Sequence, residues 1–213
     1  MTTVDHSTDT QTVVGFLDAL AAKVPVPGGG AAAALHLGQA AALVSMVARY
    51  TAGPRYAEHQ ILVTTICERA DAARQQALRL VDDDMAAFSG VIAAYALPKT
   101  TEQERRTRSA AIASAAQQAA SVPADVVRAA GEILGLAEQL LPVANPNVIS
   151  DVAAAADAAR AAATTARVNV EINLSSIRDT TVRTSLVDRI AGVDHLATRA
   201  DDVNDRVRKL LRA

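Results

Sequence analysis

Apolar residues recur every three or four positions along most of this 213-residue chain, the spacing that lines one face of an α-helix. The segment 61–81 shows the pattern through Ile61, Leu62, Ile66, Ala70, Ala73, Ala77, Leu80 and Val81. More than a fifth of all residues are alanine and only 2% are aromatic, a mixture that favours helix over sheet. The sequence therefore predicts an all-α fold, with residues 1–213 forming one domain built as a bundle of about seven mostly long helices.

Prolines, glycines and capping residues mark where these helices begin and end. We expect helices over residues 12–23, 29–50, 54–96, 101–121, 123–141, 145–177 and 180–212. Val122-Pro123 is expected to separate two helices, because proline lacks an N–H and its ring clashes with the preceding turn. Residues 1–11 are predicted to form a flexible tail, and residues 180–213 a single C-terminal helix.

Composition and charge disfavour several classes of protein. The net charge is −2 and no basic stripe with interleaved aromatic residues exists, so nucleic-acid binding has little support. The single Cys67 leaves no intrachain disulfide and no multi-cysteine metal site. The apolar run 31–48 is mostly alanine and is interrupted by His36, Gln39 and Ser45. We therefore predict a buried helix in a cytoplasmic protein that has no membrane partner.

The segment Pro25-Val26-Pro27-Gly28-Gly29-Gly30 leads directly into that apolar run. A helix entered through glycines presents unpaired N–H groups and the positive end of its dipole. Two interpretations stay open, an anion site or a tight corner where two helices touch. No GxGxxG or GK[ST] pattern follows, which favours the corner.

Asp82-Asp83-Asp84 interrupts an apolar helical period. Asp82 and Asp84 point in directions about 160° apart around a helix, so at most one of them faces the side of Phe88. The three carboxylates either form a solvated face or place one carboxylate in a cleft. In the cleft, burial and neighbouring charge would raise the pKa of that carboxyl.

A second polar cluster comprises Asn145, Asn147, Ser150 and Asp151, at the start of an alanine-rich helix. One such residue is enough to cap a helix. The additional polar residues are consistent either with local capping or with a ligand site ahead of a buried helix.

Asn169 and Asn173 lie four residues apart, which places them on one helix face. Their side chains either form hydrogen bonds that hold helices together or bind a polar heterocycle through paired donor and acceptor contacts. Tyr56 and Lys99 each follow a proline-containing turn. Each of these two alone is typical of a surface residue.

Taken together and in order, these blocks resemble the formiminotransferase-cyclodeaminase C-terminal family. The resemblance covers residues from about Thr12 to Asp179 and rests on the following ordered blocks: Phe16-Leu17, Pro27 to Gly30, Ala41 to Ala48, Asp82 to Phe88, Ala94 to Lys99, Val122-Pro123, Asn145 to Asp151 and Asn169 to Leu174. The chain departs from the family pattern at Ala31, where a serine is usual, at 152–154, and at Pro54-Arg55, where the family has a lysine-rich run.

The resemblance implies an all-helical homodimer that acts on a reduced folate, with its site in a cleft near the subunit interface. It implies no cofactor beyond the tetrahydrofolate-derived substrate and no metal. On this basis Asp84 or Asp151 is the expected acid–base group, with Asp82 as a further candidate. The expected substrate-binding residues are Pro27, Gly28, Gly29, Gly30, Tyr56, Lys99, Asn145, Asn147, Ser150, Asn169 and Asn173.

Members of the family are similar to either methenyltetrahydrofolate cyclohydrolases or formiminotetrahydrofolate cyclodeaminases. The first adds water to a cationic carbon between N5 and N10, and the second closes that ring with loss of ammonia. One carboxylate serves as base in the first and as acid in the second. We favour the cyclohydrolase, because no formiminotransferase domain is expected in this chain. A non-catalytic helical scaffold is the alternative of another class.

Overall fold

The computed structural model describes residues 11–212, and within that range it is all-helical, with no β-strand. Its seven α-helices are α1 (Val13–Ala21), α2 (Gly29–Tyr50), α3 (Gln60–Ala96), α4 (Glu102–Leu140), α5 (Ile149–Leu174), α6 (Thr180–Ile190) and α7 (Val193–Leu210). Short 3₁₀ helices over Pro54–His59 and Pro146–Val148 precede α3 and α5. The all-α prediction is confirmed. The tail predicted for residues 1–11 lies, apart from Gln11, outside the described residues.

Helix α2 lies at the centre of the bundle and packs against α3, α4 and α5. Its buried positions are mostly alanine, which allows neighbouring helices to approach closely. By length and mean hydropathy α2 is apolar enough to cross a membrane, and 56% of its most apolar window is buried inside the protein. That burial is the pattern of a core helix.

Local capping chemistry sets several helix boundaries where the sequence predicts them. Thr101 caps α4 through the backbone N–H of Glu104, whose side chain accepts from the N–H of Thr101, completing a capping box. The side chain of Asn145 accepts from the N–H of Asn147. Helix α2 has the predicted bounds. The kink expected in the segment 54–96 occurs at Tyr56, whose backbone is not helical.

The predicted break at Val122-Pro123 is wrong. Helix α4 continues through Pro123, which is buried in the core. Proline at this position leaves the carbonyl of Ala119, four residues earlier, without its helical N–H donor. The side chain of Asn173 on α5 donates to that carbonyl at 3.5 Å. Packing against neighbouring helices and this external donor allow the helix to pass the proline.

The single C-terminal helix predicted for residues 180–213 is also wrong within the described range. It is divided into α6 and α7 at Ala191-Gly192. The division lets α6 contact α4 while α7 packs mainly along α5. Both short helices contribute to the core, with Leu186 on α6 and Val203 on α7 buried.

Candidate functional site

The first turn of α2 meets the middle of α3 at two residues, Gly30 and Asp84. A β-carbon at Gly30 would overlap the carboxylate of Asp84. Only glycine therefore fits at position 30 while Asp84 keeps its place. This close approach explains the third glycine of the sequence Gly28-Gly29-Gly30.

The Asp84 carboxylate accepts a hydrogen bond from the backbone N–H of Ala31. Gly28, the N-cap of α2, provides no side-chain cap, so a carboxylate from another helix caps this end. Burial raises the pKa of Asp84 above its ordinary value, and the hydrogen bond from Ala31 opposes that shift. A partly buried carboxyl with a raised pKa is suited to exchanging protons with a substrate.

Asn169 and Asn173 project from α5 towards the same place. The amide nitrogen of Asn169 donates to the carbonyl of Thr165 at 2.9 Å, and that of Asn173 to the carbonyl of Asn169 at 2.8 Å. Because a carbonyl only accepts, these partners fix which atom of each amide is nitrogen. The Oδ1 atoms of both side chains are therefore the ends available as acceptors.

These residues surround one cavity of about 360 Å³, the Asp84 cleft. It is lined by Pro25, Val26, Gly28, Gly29, Gly30, Asp84, Phe88, Val91, Tyr95, Ile112, Ala116, Ala119, Asn169, Ile172, Asn173 and Ser176. The walls are mainly apolar, and the polar groups of Asp84, Asn169 and Asn173 supply acceptors. A flat ring with N–H donors and a positive charge suits such a cleft.

A second cavity of about 810 Å³, the proline groove, lies on the other side of the loop 24–27. Pro27 and Asp82 line it together with Met85. Asp82 and Asp84 thus face different cavities, as their angular separation on a helix predicts.

A third cavity of about 520 Å³, the basic pocket, shares Tyr95, Ile112 and Ser176 with the Asp84 cleft. Its cationic residues are Lys99, Arg105, Arg108 and Arg178. Arg108 lies over the ring of Tyr95, 5.3 Å from its centroid, and donates to the backbone carbonyl of Tyr95. The lining contains no Asp or Glu, and within residues 11–212 only Arg105 of its cations forms an ion pair, with Glu102 at 3.1 Å. The pocket therefore suits an anionic group joined to a ring in the Asp84 cleft.

The remaining predicted residues do not line the Asp84 cleft within one chain. Asn145 uses its side chain to cap Pro146–Val148 and donates to the carbonyl of Tyr50 at the far end of α2. That end is about 30 Å from Gly29 at 1.5 Å per residue. Asn147 and Ser150 are exposed, and Asp151 lies in the first turn of α5. Tyr56 lies in the 3₁₀ helix after α2. The roles of these five residues in binding stay predictions.

The residues that sequence reasoning missed are three arginines of the basic pocket, Arg105, Arg108 and Arg178. Each looks like an ordinary surface cation in the sequence. Arg105 and Arg108 are three apart on α4, and Arg178 follows the end of α5. Nothing local indicates that these segments meet, because the contact depends on how α4 and α5 pack.

An all-helical domain with a mainly apolar cleft, one partly buried carboxylate and an adjoining basic pocket defines a small-molecule-binding helical protein. Comparison with known proteins makes the class specific. The formiminotransferase-cyclodeaminase family model matches residues 12–192. The chain belongs to this family, which confirms the resemblance seen in the sequence.

Similar proteins fall into two groups by name. The chain is 36% identical to the methenyltetrahydrofolate cyclohydrolase of Methylorubrum extorquens over 92% of this chain and 94% of that protein. It is 32% identical to the formimidoyltransferase-cyclodeaminase of Mus musculus over 84% of this chain, which spans 33% of that protein. The crystal structure of the formiminotetrahydrofolate cyclodeaminase of Thermotoga maritima superposes with a TM-score of 0.80 at 32% identity, covering 96% of this chain and 97% of that one.

Proposed function

We propose that this protein is a methenyltetrahydrofolate cyclohydrolase, converting methenyltetrahydrofolate and water to 10-formyltetrahydrofolate. The observation that carries the proposal is the Asp84 carboxylate, which is partly buried and has a raised pKa in a cleft large enough for a pterin ring. The similarity to the Methylorubrum extorquens cyclohydrolase over nearly the full length of both chains supports it.

In the proposed mechanism, Asp84 accepts a proton from water as the water oxygen bonds to the methenyl carbon. The bond from that carbon to N5 then breaks as Asp84 returns its proton to N5, and the hydroxyl proton is released to solvent as the formyl group forms on N10. The substrate carries one positive charge, so one proton is released overall. The negative carboxylate also stabilises the cationic substrate electrostatically.

The other cleft residues would bind and orient the folate. The Oδ1 atoms of Asn169 and Asn173 accept hydrogen bonds from the pterin N–H groups. Gly29 and Gly28 give the ring access to the backbone, since a β-carbon at Gly28 would meet nothing within 4 Å. The carboxylates of the folate glutamate extend into the basic pocket, where Lys99 and Arg178 pair with them.

The test is loss of methenyltetrahydrofolate absorbance on addition of the purified protein, after subtraction of the buffer rate. We expect catalysis by the wild type and a decrease in kcat of about 10²–10⁴-fold in Asp84→Asn, the usual effect of removing a general base. Full turnover by Asp84→Asn would remove Asp84 from the mechanism. Asp83→Asn, on an exposed neighbour, is the matched control and should keep its rate.

Formiminotetrahydrofolate cyclodeaminase activity is a second candidate, favoured by the TM-score of 0.80 to the Thermotoga maritima enzyme of that name. A carboxyl with a raised pKa also suits a donor that protonates departing ammonia. Ammonia release from formiminotetrahydrofolate, without hydrolysis of methenyltetrahydrofolate, would favour this activity. Absence of both activities would favour the non-catalytic scaffold.

We further propose a cytoplasmic homodimer whose interface adjoins the Asp84 cleft. Phe88, Ile92 and Tyr95 follow helical spacing on α3, and their side chains are 44%, 43% and 52% exposed. Ile172 on α5 is 73% exposed and lines the same cleft as Phe88 and Tyr95. An apolar rim of this kind is typical of an interaction surface.

A further inference from the structure

Pro123 is a buried proline inside α4, an unusual position for a residue that removes a helical hydrogen bond. Exposed or capped helix ends accommodate proline easily, but the middle of a 39-residue helix does not. The carbonyl that loses its donor belongs to Ala119, and Ala119 lines the Asp84 cleft. The backbone irregularity therefore lies at the wall of the candidate site.

The donor that replaces the missing N–H is the amide nitrogen of Asn173, at 3.5 Å from the Ala119 carbonyl. The same nitrogen donates to the carbonyl of Asn169 at 2.8 Å. The two hydrogens of the amide are thus directed at two backbone carbonyls, one on α4 and one on α5. With both donors engaged, the amide plane is held by both helices and Oδ1 remains as the acceptor.

From this geometry we infer that Pro123 is a positioning residue for substrate binding, acting through the Ala119 carbonyl to orient the Asn173 amide. The inference rests on the proposed function, in which Oδ1 of Asn173 accepts from the pterin. An ordinary residue at 123 would supply an N–H to Ala119 from within α4. Asn173 would then keep only its bond to Asn169 and would rotate more freely in the cleft.

The first test is Pro123→Ala, compared with Pro142→Ala, an exposed proline just after the end of α4. We expect Pro123→Ala to raise KM for methenyltetrahydrofolate about threefold to tenfold, the effect of one net hydrogen bond. The unfolding temperature should stay the same or rise, because alanine restores a helical hydrogen bond. An unchanged KM, or a KM that rises only with a fall in unfolding temperature, would overturn the inference. Pro142→Ala should leave both quantities unchanged.

A double-mutant cycle with Asn173→Ala separates a positioning role from a general packing role. If Pro123 acts through Asn173, then adding Pro123→Ala to Asn173→Ala should leave KM at the Asn173→Ala value. Multiplicative effects of the two substitutions on KM would contradict the link.

A readout without substrate tests the orienting contact separately from turnover. The side-chain amide signals of Asn173 in an ¹⁵N-labelled protein are identified by their loss in Asn173→Ala. We expect Pro123→Ala to shift these signals and speed their exchange with water, while Pro142→Ala leaves them unchanged. If these signals respond but no variant or wild type turns over folate, then the proposed function fails and the orienting contact stands. If turnover is present and the signals do not respond, then the orienting contact is refuted and the proposed function stands.

Discussion

Two effects act in opposite directions on the pKa of Asp84. Its carboxylate caps α2 through the N–H of Ala31, and hydrogen bonds to an anion lower the pKa. Burial acts in the other direction and is the larger effect, so the pKa is raised. The ionised form of a carboxylate buried in this way lowers the free energy of unfolding. Such a loss of stability in exchange for activity is common at functional sites.

The first residue-scale prediction concerns stability and pH. Because the folded-state pKa of Asp84 is raised, protonation favours the folded state, and the ionised form destabilises it at pH above that pKa. Asp84→Asn, which can still accept from Ala31, should therefore unfold at the same or a higher temperature than wild type at pH 7.5. The advantage should shrink as the pH falls through the Asp84 pKa. Thermal unfolding followed by circular dichroism checks this, and a variant clearly less stable than wild type at pH 7.5 would contradict it.

The second residue-scale prediction is the sign of the pH dependence of catalysis. Hydrolysis needs ionised Asp84, so kcat/KM should fall as the pH decreases through a pKa above the ordinary value of 3.8. Cyclodeamination needs the protonated acid, so ammonia release should fall as the pH rises through the same pKa. Initial rates across the pH range distinguish these two roles. A rate independent of pH in this region would argue against Asp84 in either.

Gly30 provides the third residue-scale prediction. Gly30→Ala would force its β-carbon into the Asp84 carboxylate, so we expect a loss of about 1–3 kcal/mol in the free energy of unfolding and a large loss of turnover. Gly28→Ala is the matched control for stability, because a β-carbon there meets no atom within 4 Å and its φ of −135° suits alanine. Urea unfolding measures the stability of both variants, and the absorbance assay measures the turnover of Gly30→Ala. Equal losses of stability in the two variants would show that Gly30 is not a close-contact position.

At the scale of elements, α7 lies beyond the residues that the family model matches. It buries Val193, Leu196, Ala200, Val203 and Val207 in the core. Arg199 on α7 donates to both carboxylate oxygens of Glu138 on α4, at 2.9 and 2.6 Å. Helix α7 therefore links α4 to α5.

The prediction at this scale compares two arginines of α7. Arg199→Met should lower the free energy of unfolding by about 1–2 kcal/mol. The ion pair with Glu138 is bidentate and its side chains are 30% exposed, so solvent screens it less than a pair on the surface. Arg208→Met removes a pair at 3.6 Å whose side chains are 64% and 65% exposed, and its effect should be close to zero. Chemical denaturation measures both. Equal losses would show that the Arg199 pair adds nothing beyond an ordinary surface contact.

At the scale of the whole molecule, the Asp84 cleft lies between the other two cavities. It shares Pro25 and Val26 with the proline groove, and Tyr95 and Ile112 with the basic pocket. The apolar rim lies beside the cleft. Ile92 belongs to this rim but does not line the cleft. Ile92→Glu should therefore convert the proposed homodimer to a monomer without unfolding it. Ile61→Glu, at an 86% exposed position of α3, should leave the dimer intact. Sedimentation velocity measures the masses, and a monomeric wild type would contradict the proposed interface.

The helices themselves were determined largely by local sequence. Thr101 with Glu104, and Gly28 before α2, act within a single turn, so their effects can be read from neighbouring residues. The angular separation of Asp82 and Asp84 likewise follows from helical geometry alone.

Tertiary structure decided the features that depend on distant segments. Pro123 does not end α4, and the carbonyl of Ala119 that it leaves without a helical donor accepts from Asn173, 54 residues after Ala119. Asn145 and Asp84 share polar character in the sequence but lie at opposite ends of α2. Which aspartate meets Gly30, and which arginines meet beside Tyr95, depends on how α2, α3, α4 and α5 pack. Helix formation is governed by interactions between near neighbours, whereas the site is formed by contacts between residues far apart in the chain.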